Sequence, residues 1–124
     1  MLFRSGQVTE LLEAVIPLPV FGRGNLRVEI DAVIDTGFNG FLTLETSVIQ
    51  TLQLVSAGSR RATLADGSVA ALPVYIGNVE WHRGVREVLV IGAAGGALVG
   101  MSLLNGSRIV LDVVANGEDR KSVV

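Results

Sequence analysis

The chain has 124 residues, 49% of them hydrophobic and 18% charged, with 15 glycines and a net charge of −2. One domain with a sizeable core fits that length, and the glycine content favours a compact all-β protein over a helical one. The charge gives no basis for binding nucleic acid or an anionic membrane, and the absence of cysteine excludes disulfides, thiol catalysis and cysteine metal sites.

Residues 1–7 lack the long apolar region of a signal peptide, so a cytoplasmic protein is expected. The first strand is expected over 14–20, where Pro17 and Pro19 point to a sheet edge. After the turn Gly22-Arg23-Gly24-Asn25, residues 26–34 return as its partner. That second strand stops abruptly at Asp35-Thr36-Gly37. A buried strand ending on a carboxylate, a hydroxyl and a glycine presents an acid at the mouth of a β structure. Gly37 has no Cβ, so backbone N–H groups can come up to that acid. A further strand begins over 40–44, and a short helix opens at Glu45 or Thr46 and runs to Leu52, with Val48, Ile49 and Leu52 at helical spacing.

Residues 59–65 and 68–76 flank Asp66-Gly67, the strongest hairpin signal in the chain. Gly77-Asn78 reads as a second turn, followed by strands over 79–81 and 85–91. Residues 97–99 form a buried strand ending at Gly100, 101–104 a helical turn, and 108–114 the closing strand. The domain core is therefore expected over about 14–114, with a polar, frayed tail from Asn116. Residues 88–107 carry no charge, and Gly92, Gly96 and Gly100 form a double GxxxG, the pattern of paired membrane helices. Gly95, Ser102 and Asn105 in the same run fit a strand, a glycine loop and a second strand better, so no membrane partner is expected.

Three features together resemble a retropepsin-like aspartic peptidase, the single-domain kind in which two identical chains each supply one catalytic aspartate. Ala32-Val33-Ile34-Asp35-Thr36-Gly37 resembles the catalytic loop at the end of its apolar strand. Leu98-Val99-Gly100, running into Met101-Ser102-Leu103-Leu104, resembles the second signature, and Ala65-Asp66-Gly67-Ser68 lies where the family places its flap. The string from Asp35 to Leu44, with Phe38 after the glycine, is similar to a prokaryotic subgroup. The resemblance covers about 14–114 and implies a closed β-barrel with one or two short helices. It further implies a homodimer that hydrolyses peptide bonds in a peptide or protein substrate and needs no metal or cofactor.

By the same resemblance, Asp35, Thr36 and Gly37 form the catalytic loop, with Thr36 gripping the partner loop across the dimer. Phe38, Asn39, Ala65, Asp66, Gly67, Leu98, Val99 and Gly100 are implied to meet substrate. Two departures bear on activity: Phe38 cannot donate a hydrogen bond to the dyad, and Asn39 replaces the aspartate that grips substrate backbone in viral relatives. The alternative is a catalytically weak or inactive dimer of the same fold that binds a peptide or protein partner.

Plainer readings apply elsewhere. Asp66 is a hairpin-turn residue, Asp31 and Asp112 are solvent-facing, Trp81 is partial core, and His82 with Arg83 lies near a surface turn. Gly92-Ala93-Ala94-Gly95-Gly96 lacks the Walker lysine and the dinucleotide spacing, so it closes a loop.

Overall fold

The computed structural model describes residues 4–113 and 121–123, and 55% of the chain is strand. In chain order the elements are β1 (Arg4–Val8), β2 (Ala14–Phe21), β3 (Arg27–Ile34), β4 (Leu42–Leu44), α1 (Thr46–Leu52) and β5 (Val55–Thr63). They continue as β6 (Val69–Trp81), β7 (Gly84–Gly92), β8 (Ala97–Val99), α2 (Met101–Leu104), β9 (Ile109–Leu111) and β10 (Lys121–Val123). The sheet runs β5-β6-β7-β4-β8-β3-β2-β1-β10-β9, and an additional β6–β2 pairing closes six of these strands into a barrel.

Alternation of side chains along each strand explains the closure. Ile16, Leu18 and Val20 of β2 are fully buried, and on β3 Arg27, Glu29 and Asp31 face water while Ala32 is buried. Leu42, Leu44, Leu52, Val79, Val90, Val99 and Leu103 complete a single core. Helix α1 buries Ile49 and Leu52 against it and ends on Gln53, whose left-handed backbone (φ 53°) returns the chain to β5.

Several sequence expectations are met within a residue or two: β3, α1, β8 and α2 lie where the patterning places them. Trp81 is buried, and the uncharged 88–107 run is made of β7, β8 and α2. Among the described residues no helix is long and apolar enough to cross a membrane.

Three expectations are corrected. Strand β2 is interior, with β3 along one side and both β1 (at Ala14 and Val15) and β6 (at Val20 and Phe21) along the other. Pro17 and Pro19 fall between those two pairings, where a missing N–H interrupts neither ladder. Gly77-Asn78 is not a turn, because β6 runs straight through it. Gly77 is needed for packing instead: a Cβ there would lie 3.0 Å from Val90 Cγ2. The reversal falls at His82-Arg83, both with positive φ (49° and 65°), in a two-residue hairpin closed by Trp81 and Gly84. His82 is half-buried there, its Nε2 2.8 Å from the Ser107 hydroxyl. Finally, the barrel is extended by β1 and by a C-terminal strand: β10 pairs with both β1 and β9, so the expected tail is partly sheet. The remainder of that tail, 114–120 and 124, lies outside the described residues.

Candidate active site

The site is built on an unusual strand order. Strand β8 is only three residues long and lies between β3, with which it runs parallel, and β4, with which it runs antiparallel. The register sets Ile34 beside Val99, and the Asp35 N–H then donates to the Val99 carbonyl at 2.9 Å. The acid is therefore anchored by the second of the two motifs singled out in the sequence. Its side chain is held as well, since the Gly37 N–H donates to Asp35 Oδ1 at 2.9 Å. A Cβ on Gly37 would lie 3.3 Å from that same oxygen, so glycine leaves the amide its approach. The Phe38 N–H closes the turn onto the Asp35 carbonyl at 3.2 Å. Asp35 is half-buried, while Thr36 and Gly37 are exposed.

The other half of the loop is stitched to the start of α2. Gly100 N–H donates to the Phe41 carbonyl (3.1 Å), Met101 N–H to Phe38 (2.7 Å) and Ser102 N–H to Gly40 (3.1 Å). The Ser102 hydroxyl donates to the Asn39 carbonyl. The Phe38 ring lies directly over Gly40 and Gly100, since a Cβ on either glycine would come within 2.5 Å of it. Phe38 is half-buried, and its ring packs the loop against the second motif.

Two supports carry no signal that sequence reasoning singled out. Thr43 is buried, its hydroxyl accepting the Leu98 N–H (2.9 Å) and donating to the Gly96 carbonyl (3.3 Å). A lone hydroxyl inside the apolar triplet Leu42-Thr43-Leu44 was the available clue, because a buried hydroxyl requires partners. Ser102, the second support, looks like any polar residue in a short helix.

The hairpin tip is a separate structure. Leu64 N–H donates to the Ser68 carbonyl (2.8 Å) and Gly67 N–H to Leu64 (2.9 Å), leaving Ala65, Asp66 and Gly67 as a three-residue loop. Gly67 has a φ of 85°, the left-handed position such a loop requires. Asp66 Oδ1 accepts the Ser68 hydroxyl (2.5 Å) and the Ser68 N–H (2.9 Å), and these bonds hold its carboxyl below the ordinary aspartate range. Asp66 is thus a turn residue. Its lowered pKa means that its contribution to tip order is present above the ordinary value of 3.8 and lost as pH falls through the folded value. In an NMR titration the Ser68 amide resonance should therefore move with a midpoint below 3.8, and a midpoint at or above it would contradict the bonded tip.

The structure brings the 35–39 loop together with Leu98, Val99 and Gly100, whereas Ala65, Asp66 and Gly67 form their hydrogen bonds within their own hairpin. Val99 and Gly100 are buried within the chain, where Val99 supplies a carbonyl to Asp35 and Gly100 supplies room for Phe38. Leu98 is half-buried. Between the Asp35 loop and the base of the hairpin runs a groove of about 320 Å³, lined by Asn39, Phe41, Arg60, Val74, Leu89 and Ile91 among others. Among the described residues no three histidine, aspartate or glutamate side chains form a metal ligand set.

The sequence matches no protein-family model, and no curated protein is significantly similar to it.

Proposed function

We propose that this chain is an aspartic endopeptidase that works as a homodimer, its two Asp35 carboxylates activating one water between them. The observation that carries this reading is the anchoring of Asp35 from both sides, with its backbone on Val99 and its carboxylate on the Gly37 N–H. A turn acid that merely capped local amides would need no strand threaded beside it. Two such carboxylates about 3 Å apart share one proton, so the ionised member can deprotonate water while the protonated member donates to the scissile carbonyl. One chain offers one such loop, which makes two-fold symmetry a requirement of the chemistry. The groove beside the loop supplies a place for the substrate chain, and the 65–67 tip would cover it as a mobile flap. With no cysteine to oxidise, the chain is suited to the reducing cytoplasm we propose for it.

The binding-only alternative draws on Phe38, whose ring occupies the space over Gly40 and Gly100 and offers the dyad no donor. Incubation with a diverse peptide library from about pH 4 to 8, beside an Asp35→Asn control, separates the two. Cleavage that vanishes in the control supports the peptidase. A folded dimer that binds peptides and cleaves none supports the binder.

Thr36 tests the dimer itself. It is exposed, and among the described residues its hydroxyl has no hydrogen-bond partner within the chain. If it grips the partner loop, Thr36→Val removes one or two hydrogen bonds of about 1 kcal/mol each. The dimer dissociation constant should then rise roughly five- to thirty-fold in sedimentation equilibrium. An unchanged constant would remove Thr36 from the interface.

A further inference from the structure

Resting on the peptidase reading, the geometry points to a charge preference in the groove: we propose that it takes a glutamate side chain of the substrate, with Arg60 as its counter-charge. The groove opens four residues beyond Asp35, at Asn39, so a peptide lying across the Asp35 loop passes over it. Its volume of about 320 Å³ sits at the lower end of the roughly 300–1,000 Å³ of small-ligand pockets, which suits one or two side chains.

The walls divide into two chemistries. Val74 and Ile91 are direct cross-strand partners on β6 and β7 and present an apolar floor, extended by Leu89, which is 45% exposed. That much exposed leucine at the bottom of a groove is surface that an aliphatic stem can cover. Arg60 stands on β5, opposite Leu72 and one position from the Ser59–Pro73 pair, where the strand resumes its register after the bulge between Ser56 and Ser59. It is the sole charged residue lining the groove, it is exposed, and among the described residues its guanidinium has no ion-pair or hydrogen-bond partner. No carboxylate lines the groove to neutralise it. Asn39 and Ser59 add neutral groups at the rim, and the Ser102 hydroxyl is already engaged by the Asn39 carbonyl.

An apolar floor with one unneutralised guanidinium at its edge fits a side chain with methylenes followed by a carboxylate. Glutamate has the reach for both, and a guanidinium can meet its carboxylate with two parallel hydrogen bonds. Lysine or arginine in the same place would set like charges together.

The test uses the full-length dimer and a peptide series with one glutamate, glutamine or lysine moved through the positions flanking the cleaved bond. Binding to the Asp35→Asn dimer is followed in parallel by fluorescence anisotropy. At one position glutamate should be preferred to glutamine about two- to five-fold, the range of an exposed ion pair, and the preference should shrink at 1 M salt. Arg60→Glu, a change on an exposed strand, should reverse the order to favour lysine at that position. Cleavage with no charge preference, or a glutamate preference that Arg60→Glu leaves intact, overturns the assignment while the peptidase stands. Failure of every peptide to bind or be cut overturns both.

Discussion

Replacing Gly100 with alanine is expected to be strongly destabilising, although it adds a single methyl group. Gly100 has a φ of −101°, a conformation that alanine adopts freely, so backbone strain is not the reason. The reason is space: the added Cβ would lie 2.2 Å from the Gly40 carbonyl oxygen, 2.5 Å from Phe38 Cδ2 and 2.7 Å from the Phe38 carbonyl oxygen. Two of those three neighbours are backbone and cannot swing aside. Any relief must break the bonds from Met101 to Phe38 and from Ser102 to Gly40, which fix the Asp35 loop to α2. Overpacking typically costs about 1–3 kcal/mol, and the backbone contacts place this case at or above the upper end. With a melting shift of about 4 °C per kcal/mol for a domain of this size, Gly100→Ala should lower Tm by 12 °C or more. Gly24→Ala is the control, having a positive φ of 62° but no atom within 4 Å of the new methyl. It should cost only about 1 kcal/mol. Equal melting of the two variants would refute the packing argument.

Asp35→Asn is expected to separate chemistry from architecture. An asparagine Oδ1 can still accept the Gly37 N–H, and the backbone bond to Val99 does not depend on the side chain. The variant should therefore melt within about 1 kcal/mol of the parent. Peptide hydrolysis should nevertheless fall by at least about 10³-fold, because an amide can neither take a proton from water nor give one to the scissile carbonyl. Parallel loss of fold and activity would make Asp35 a structural acid. Retained activity in a well-folded variant would end the aspartic-peptidase reading.

The parts of this structure that were legible in the sequence are those in which chemistry interrupts a pattern. Ile34-Asp35-Thr36-Gly37 breaks an apolar run with an acid, and Leu98-Val99-Gly100 ends one on a glycine, so both ends of the site could be placed before any coordinates. What escaped was structure set by contact at a distance. Strands β1 and β10 contain Ser5, Gly6 and Gln7, and Lys121 and Ser122, with no apolar alternation to announce them, and they are held by backbone pairing. Gly77 is spelled like a turn because glycine serves both reversals and close packing, and only Val90 across the strand pair distinguishes the two. In the sequence Phe38 stands out for the hydrogen bond it cannot make, whereas its place in the fold is set by two glycines, Gly40 and Gly100, that vacate room for its ring. The groove at Arg60 was illegible for the same reason, since it joins β5, β6 and β7 to the Asp35 loop.

Threading β8 between β3 and β4 also fixes when in the life of the chain the acid loop can exist. Asp35 leaves the ribosome 64 residues before Val99, the residue whose carbonyl holds its backbone. At about 5–20 residues per second, the aspartate is out for roughly 3–13 s before the strand that orders it follows it out of the ribosome. A nascent or truncated chain ending before Gly100 carries the aspartate without the geometry. The site thus reports on completion of the barrel, and a cell translating this protein is not exposed to an assembled acid loop until β8 has left the ribosome.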